Sequence, residues 1–179
     1  MSIEEKINDF IDELSVEHDL FKYIYSTKPD NVDFKKSTVY YSGQYWDKKE
    51  ITAIFKSVLL GKWFSSGESV HKFEHAFSRR FNMAHSVMVN SGSSANLVMI
   101  ASLKKVLQWQ DNDEIILSCV GFPTTLAPIV QNNLKPVFID IEFNTLNFDV
   151  NLIQQKITSK TKAIFVSPVL GNPPDMDKI

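Results

Sequence analysis

Seven residues, Asn90-Ser91-Gly92-Ser93-Ser94-Ala95-Asn96, place glycine and small hydroxyl groups between the apolar run Ser86–Val89 and a strongly apolar helical stretch. A strand-to-helix turn of that composition is suited to binding phosphate. The first N–H groups of a helix lack intrahelical acceptors and stand at the positive end of its dipole, so an anion seated there gains hydrogen bonds and charge stabilisation together. Gly92 permits close approach of the backbone, and the hydroxyls of Ser93 and Ser94 add donors. Serine is also an ordinary helix cap, and the residues alone leave both readings open. Further along, Ser118-Cys119-Val120-Gly121-Phe122-Pro123-Thr124-Thr125 follows another apolar run. The Phe122 ring could stack on a flat ligand over the same crevice, or could anchor its loop in the core.

Other reactive residues form weaker constellations. His71 and His75 are four apart on one helix, but no third ligand accompanies them and the order is not that of a zinc protease. A solvated helix face is the expectation, and no metal site is assigned. Cys119 has no base or basic neighbour in the sequence, which predicts an inert thiol buried at a strand end. Asp140 and Glu142 alternate at the end of a strand and are expected to terminate it and face water. Gly61-Lys62 lacks the upstream glycine of a P-loop. Asp175 and Asp177 read as cap residues of a Pro-rich turn.

The elements that must position these groups follow from periodicity. Ile3, Ile7, Phe10, Ile11 and Leu14 repeat at helical spacing behind a Ser2-x-x-Glu5 capping box, which predicts an amphipathic helix packed on the body or on a partner. Pro29-Asp30-Asn31 breaks that pattern, and an irregular connection is expected to Tyr45. Asp47-x-x-Glu50 starts a second helix in which Ile51, Ile54, Phe55, Val58 and Leu59 make one buried stripe, with Gly61 ending it. A third helix runs from about Ser69, with Val70, Phe73, Ala76, Phe77 and Phe81 on one side. From His85 the texture changes to short β-rich runs at Ser86–Val89, Glu114–Ser118, Pro136–Ile141 and Lys162–Ser167. Each is apolar almost throughout and separated by enough residues for a crossover, which predicts an α/β fold with a largely parallel sheet covered on both faces. Ligands of such sheets sit beyond the carboxyl ends of the strands.

Composition narrows the field. The 179 residues are 44% hydrophobic and 12% aromatic, enough for a cored domain rather than a disordered chain. A formal net charge of −2 provides no basic face for nucleic acid or acidic lipid. With one cysteine, neither an internal disulfide nor a cysteine-based zinc site is available. The acidic, amphipathic start is unlike a signal peptide, and no run approaches the roughly 20 apolar residues of a membrane helix, so a cytoplasmic location is expected.

Taken in order, Tyr41-Ser42-Gly43, Gly61-Lys62-Trp63, Gly67 with Phe73-Glu74, Asn90–Asn96, Gly121-Phe122-Pro123-Thr124-Thr125, Pro136–Asp140 and Leu170-Gly171-Asn172-Pro173 resemble the DegT/DnrJ/EryC1/StrS nucleotide-sugar aminotransferases. The resemblance runs from about residue 38 to the end, and its wording is nearest to the CDP-4-keto-6-deoxyglucose 3-dehydrase branch. It implies the N-terminal part of the three-layer large domain of a PLP-dependent transferase over 38–179, preceded by an amphipathic helical extension over 1–37. The cofactor implied is pyridoxal or pyridoxamine 5'-phosphate. Ser93 and Ser94, beside Gly92, would hold its phosphate, and Phe122 would stack on its ring. Asn172 would lie near the site, although a turn-forming role beside Pro173 accounts for it equally well.

The substrate implied is a nucleotide-linked keto-deoxysugar of surface polysaccharide or deoxysugar biosynthesis, undergoing amino transfer or 3-dehydration. Ser167-Pro168 departs from the dehydrase pattern, where a histidine-containing pair is frequent. The family's ring-nitrogen aspartate and its lysine, histidine in the dehydrases, would fall after Ile179, so no catalytic residue is assigned. A homodimer or a complementing C-terminal chain is the expected partner. Two other classes compete: a non-catalytic fragment acting as a binding or assembly module, and a phosphosugar-binding domain of the sugar-isomerase type. The latter leaves Phe122 and Leu170–Pro173 unexplained.

Overall fold

A computed structural model describes residues 1–17, 47–63, 65–168 and 170–179. The expected irregular connection to Tyr45, the Tyr41-Ser42-Gly43 motif and the 37/38 boundary lie outside the described residues. The chain divides into two compact units, Met1–Val87 and Met88–Ile179.

The first unit is helical. α1 (Ile3–Glu17) starts at the expected capping box, with Glu5 N–H donating to Ser2 Oγ at 3.2 Å, and it buries Ile7 and Ile11. It packs on α2 (Lys48–Leu60), where the Phe10 and Phe55 rings meet edge to face at 6.1 Å and Lys48 Nζ reaches Asp12 at 2.7 Å. A capping box at Asp47 and Glu50 opens α2, and Gly61 closes it as expected. The closure is a matter of space, since a Cβ at Gly61 would stand 2.2 Å from the Ser57 carbonyl oxygen.

The buried stripe expected on α2 is not found. No residue of the helix is buried, and Ile54, Val58 and Leu59 are at least half exposed. Periodicity identifies the face that ought to be covered; burial also requires something to cover it. α3 (Glu68–Arg80) likewise carries an exposed aromatic row, with Phe73 to Phe77 at 5.7 Å and Phe77 to Phe81 at 4.6 Å between ring centres.

The second unit is a three-layer α/β arrangement. Its elements are α4 (Gly92–Val106), β1 (Glu114–Ser118), α5 (Pro123–Gln131), β2 (Lys135–Ile139), a short α6 (Ile153–Lys156) and β3 (Thr161–Phe165). The strands form a parallel sheet in the order β2-β1-β3, with Ile116 opposite both Val137 and Ile164. β1 lies in the middle and is apolar on both faces for that reason. Ile115 and Leu117 pack with Ile100 of α4 and Ile129 of α5, whereas Ile116 on the opposite face packs with Ile139, Phe148 and Ile153. The N-terminal end of β1 is secured by Glu114, whose buried carboxylate accepts from Thr158 Oγ1 at 2.6 Å and pairs with Lys135 Nζ at 2.9 Å.

Three of the four expected strands are present: β1 has the expected bounds, and β2 and β3 are displaced by one or two residues at their ends. Ser86–Val89 is not a strand: it has no regular structure and spans the point in the sequence where the first unit ends and the second begins, with Val87 78% exposed. β-Branched residues supply propensity, but a strand exists only where an adjoining strand takes up its backbone groups in register.

Candidate functional site

α4 begins at Gly92, as the turn composition requires, but the cap is Ser91. Its hydroxyl accepts from Ser94 N–H at 3.2 Å and lies 3.2 Å from Ser94 Oγ. Ala95 N–H donates to the Ser91 carbonyl. Ser94 therefore has its amide engaged and brings only a hydroxyl to a ligand. Gly92 and Ser93 occupy the first two helical positions, whose N–H groups have no intrahelical acceptor. Nothing lies within 4 Å of where a Cβ on Gly92 would stand. The helix start thus presents two outward N–H groups, two hydroxyls and open space.

Phe122 is not the core anchor that its apolar character allows. It is 61% exposed at the N-cap of α5, directly after the loop that leaves the carboxyl end of β1. No side chain caps α5, and Pro123 at its first turn removes a donor that would have been orphaned there.

What joins the two helix starts is Asn96, whose side-chain N–H donates to the Thr124 carbonyl at 3.2 Å. At the other end, Lys104 Nζ donates to the Asn132 carbonyl at 2.6 Å. α4 and α5 are consequently pinned side by side in the same direction, and both N-termini stand at the carboxyl end of β1. That is where an α/β sheet receives its ligand.

Asn172 is tied into a different turn. Its Nδ2 donates to the Thr145 carbonyl at 3.2 Å, and its own carbonyl accepts from Asn147 Nδ2 at 2.9 Å. Leu170 and Gly171 just before it adopt positive φ, 53° and 78°, which Gly171 accommodates without steric cost. Asn147 is 3% exposed, and its Oδ1 has no hydrogen-bond partner among the described residues. Ser91, Asn96 and Asn147 were not distinguished by sequence reasoning. Ser91 could have been found from its position three residues before Ser94, the spacing of a serine cap.

Cys119 departs from expectation in being exposed rather than buried, because the chain is already turning out of β1 at that residue. Its thiol pKa is nonetheless raised, first by partial desolvation and then by the Asp140 carboxylate 3.6 Å away, which disfavours the reactive thiolate. Asp140 is exposed past the end of β2 and accepts from Ile141 N–H at 2.8 Å, while Glu142 accepts from Thr145 Oγ1 at 3.1 Å. Asp140 faces water just past the strand end, as expected, whereas Glu142 is half-buried in the turn that follows. The His71 side chain is 72% exposed on α3, and no group of three or more potential metal ligands exists among the described residues. No helix among them is long and apolar enough to cross a membrane.

A parallel α/β unit with an open helix start and an exposed ring at one strand end has the architecture of the N-terminal part of a transferase large domain. The chain belongs to the DegT/DnrJ/EryC1/StrS aminotransferase family, whose model matches residues 46–179. It is 43% identical over 136 residues to the GDP-4-keto-6-deoxy-D-mannose 3-dehydratase of Yersinia pseudotuberculosis, an overlap of 75% of this chain and 34% of that protein. The structure of the E. coli GDP-4-keto-6-deoxy-D-mannose-3-dehydratase with bound hydrated PLP matches with a TM-score of 0.70 at 40% identity, over 76% of this chain and 36% of that one. A Streptococcus pneumoniae protein described as a sugar aminotransferase, in its PMP form, gives a TM-score of 0.70 at 25% identity, over 79% and 34%. The chain therefore spans about a third of the length of the relatives it matches. The family and the transferase fold agree with the sequence resemblance. The 3-dehydratases just named carry GDP in their names where the resemblance pointed to a CDP-sugar branch.

Proposed function

We propose that this chain is the cofactor-gripping N-terminal part of a PLP- or PMP-dependent enzyme that acts on a nucleotide-linked keto-deoxysugar. The reaction is amino transfer or 3-dehydration, in surface polysaccharide or deoxysugar biosynthesis. The observation that carries the reading is the pairing of an open helix start with an exposed aromatic ring at one end of the sheet. The amides of Gly92 and Ser93 and the hydroxyls of Ser93 and Ser94 fit a phosphate, and the Phe122 ring fits a flat heterocycle. Asn172 belongs to this reading as a neighbour of the site, held in place through Thr145 and Asn147.

When bound, such a cofactor supplies an electron sink, while the protein supplies binding and orientation. Gly92, Ser93 and Ser94 hold the phosphate end at the positive pole of α4. Phe122 fixes the plane of the ring and shields one of its faces from water. Residues 38–179 form part of the family's large domain in this account, and 1–37 a helical extension. A second polypeptide, a copy of this chain or a complementing C-terminal chain, covers the apolar faces of α2 and α3 and the edges of the sheet. Support comes from the exposure of Ile54, Leu59, Phe73 and Phe77 and from the edge positions of β2 and β3.

The test is Ser93→Asp. A carboxylate at the second helical position repels phosphate inside the cup while remaining compatible with the helix dipole, so α4 persists. Titration with pyridoxamine 5'-phosphate should show saturable binding to the unaltered chain and none to the variant. Equal binding by both would refute the assignment.

A further inference from the structure

Pro128 lies inside α5 and is fully buried. A proline has no N–H, so the carbonyl four residues earlier, that of Thr124, loses the donor that a regular helix would provide. Thr124 is in the first turn of α5, two residues after Phe122. Its carbonyl is the one that Asn96 Nδ2 approaches at 3.2 Å from the start of the second turn of α4. The proline creates an unpaired acceptor, and the asparagine uses it.

We propose that Asn96 is a positioning residue, which through the carbonyl vacated by Pro128 sets the Phe122 ring at a fixed distance from the phosphate cup at Gly92 and Ser93. This rests on the cofactor reading above and assigns the part that makes its two halves act together. A cofactor with a phosphate at one end and a ring at the other needs both helix starts in register, because each ångström of play is lost from one contact or the other. Among the described residues neither cap provides that register: Ser91 caps α4 alone, and α5 has no side-chain cap. Lys104, which pins the far ends of the helices, lies more than two turns further along α4.

The proposal separates positioning from folding. In Asn96→Ala, the affinity of the 179-residue chain for pyridoxamine 5'-phosphate should fall about tenfold, the loss of one aromatic stacking contact. Its affinity for inorganic phosphate, read from the Gly92 and Ser93 amide resonances, should be unchanged, since that ligand touches α4 alone. Adding Asn96→Ala to Phe122→Ala should cause no further loss. Lys104→Ala serves as the control, lowering thermal stability without weakening pyridoxamine phosphate binding. In Pro128→Ala the Thr124 carbonyl regains an intrahelical donor, so the drop in melting temperature caused by Asn96→Ala should shrink.

A parallel loss of affinity for both ligands in Asn96→Ala would reduce the residue to a structural role and overturn the proposal. So would unaltered pyridoxamine phosphate binding in Asn96→Ala while Ser93→Asp abolishes it; that result would leave the cofactor reading standing. An unaltered chain that binds no pyridoxamine phosphate would overturn both.

Discussion

Replacing Phe122 by alanine decides between a ring that serves a ligand and one that serves the fold. Full burial of a phenylalanine is worth about 1.5–3 kcal/mol. With 61% of Phe122 exposed, only about two-fifths of that is at stake, roughly 1 kcal/mol. The residue makes no capping bond, and its φ of −75° and ψ of 143° suit alanine, so no backbone cost is added. The melting temperature should therefore fall by only a few degrees. For a bound cofactor the balance is reversed. Covering the exposed three-fifths, plus a stacking contribution of about 0.5–1.5 kcal/mol, amounts to roughly 1.5–3 kcal/mol, or about ten- to a hundredfold in affinity. Denaturant unfolding and pyridoxamine 5'-phosphate titration of the same two proteins measure both quantities. A loss of several kcal/mol of stability with unchanged affinity would show that the ring anchors its loop and would refute the stacking role.

Two further predictions concern the frame that carries the site. The hydroxyl of Thr158 and the ammonium of Lys135 hold the Glu114 carboxyl below its ordinary range, so the unfolded chain binds the extra proton first. Its contribution is complete above the unfolded value of about 4.3 and is lost as pH falls from there through the native value; an acid titration of unfolding free energy should therefore be shallower for Glu114→Gln than for the unaltered chain. In the first unit, Gly61→Ala drives a Cβ against the Ser57 carbonyl oxygen and should destabilise the end of α2 by about 1–3 kcal/mol, seen as reduced helical ellipticity and earlier denaturant unfolding, despite the better helix propensity of alanine.

Much of the second unit was legible because its signals are local and repeated. β1 coincides with the predicted run Glu114–Ser118, and its continuous apolarity correctly implied cover on both faces. The caps at Ser2 and Asp47 and the stop at Gly61 depend on residues within one turn of each other and were readable for that reason. Ser86–Val89 has the same composition as a strand yet is none, since pairing is a property of two segments and the sequence displays one. The apolar stripe of α2 fails similarly: amphipathicity marks a face to be buried without stating against what.

For the candidate site, the types of residue were visible and their division of labour was not. Small hydroxyls before an apolar helix announce an anion seat, because the orphaned N–H groups of a helix start are a property of any helix. That Ser91, not Ser93 or Ser94, becomes the cap, and so withdraws the Ser94 amide, depends on where the helix begins. Asn96 and Pro128 are 32 positions apart, and no rule of spacing connects them. Thus the sequence by itself determined the parallel α/β class, the helix start at Gly92 and the presence of an aromatic residue at the next strand end, all consequences of short-range periodicity and backbone chemistry. Only the tertiary structure decided that Phe122 is exposed, that Cys119 is not buried, and that the two helix starts are joined through Asn96 and the Thr124 carbonyl, because burial and hydrogen bonding between elements exist only once the chain has brought them together.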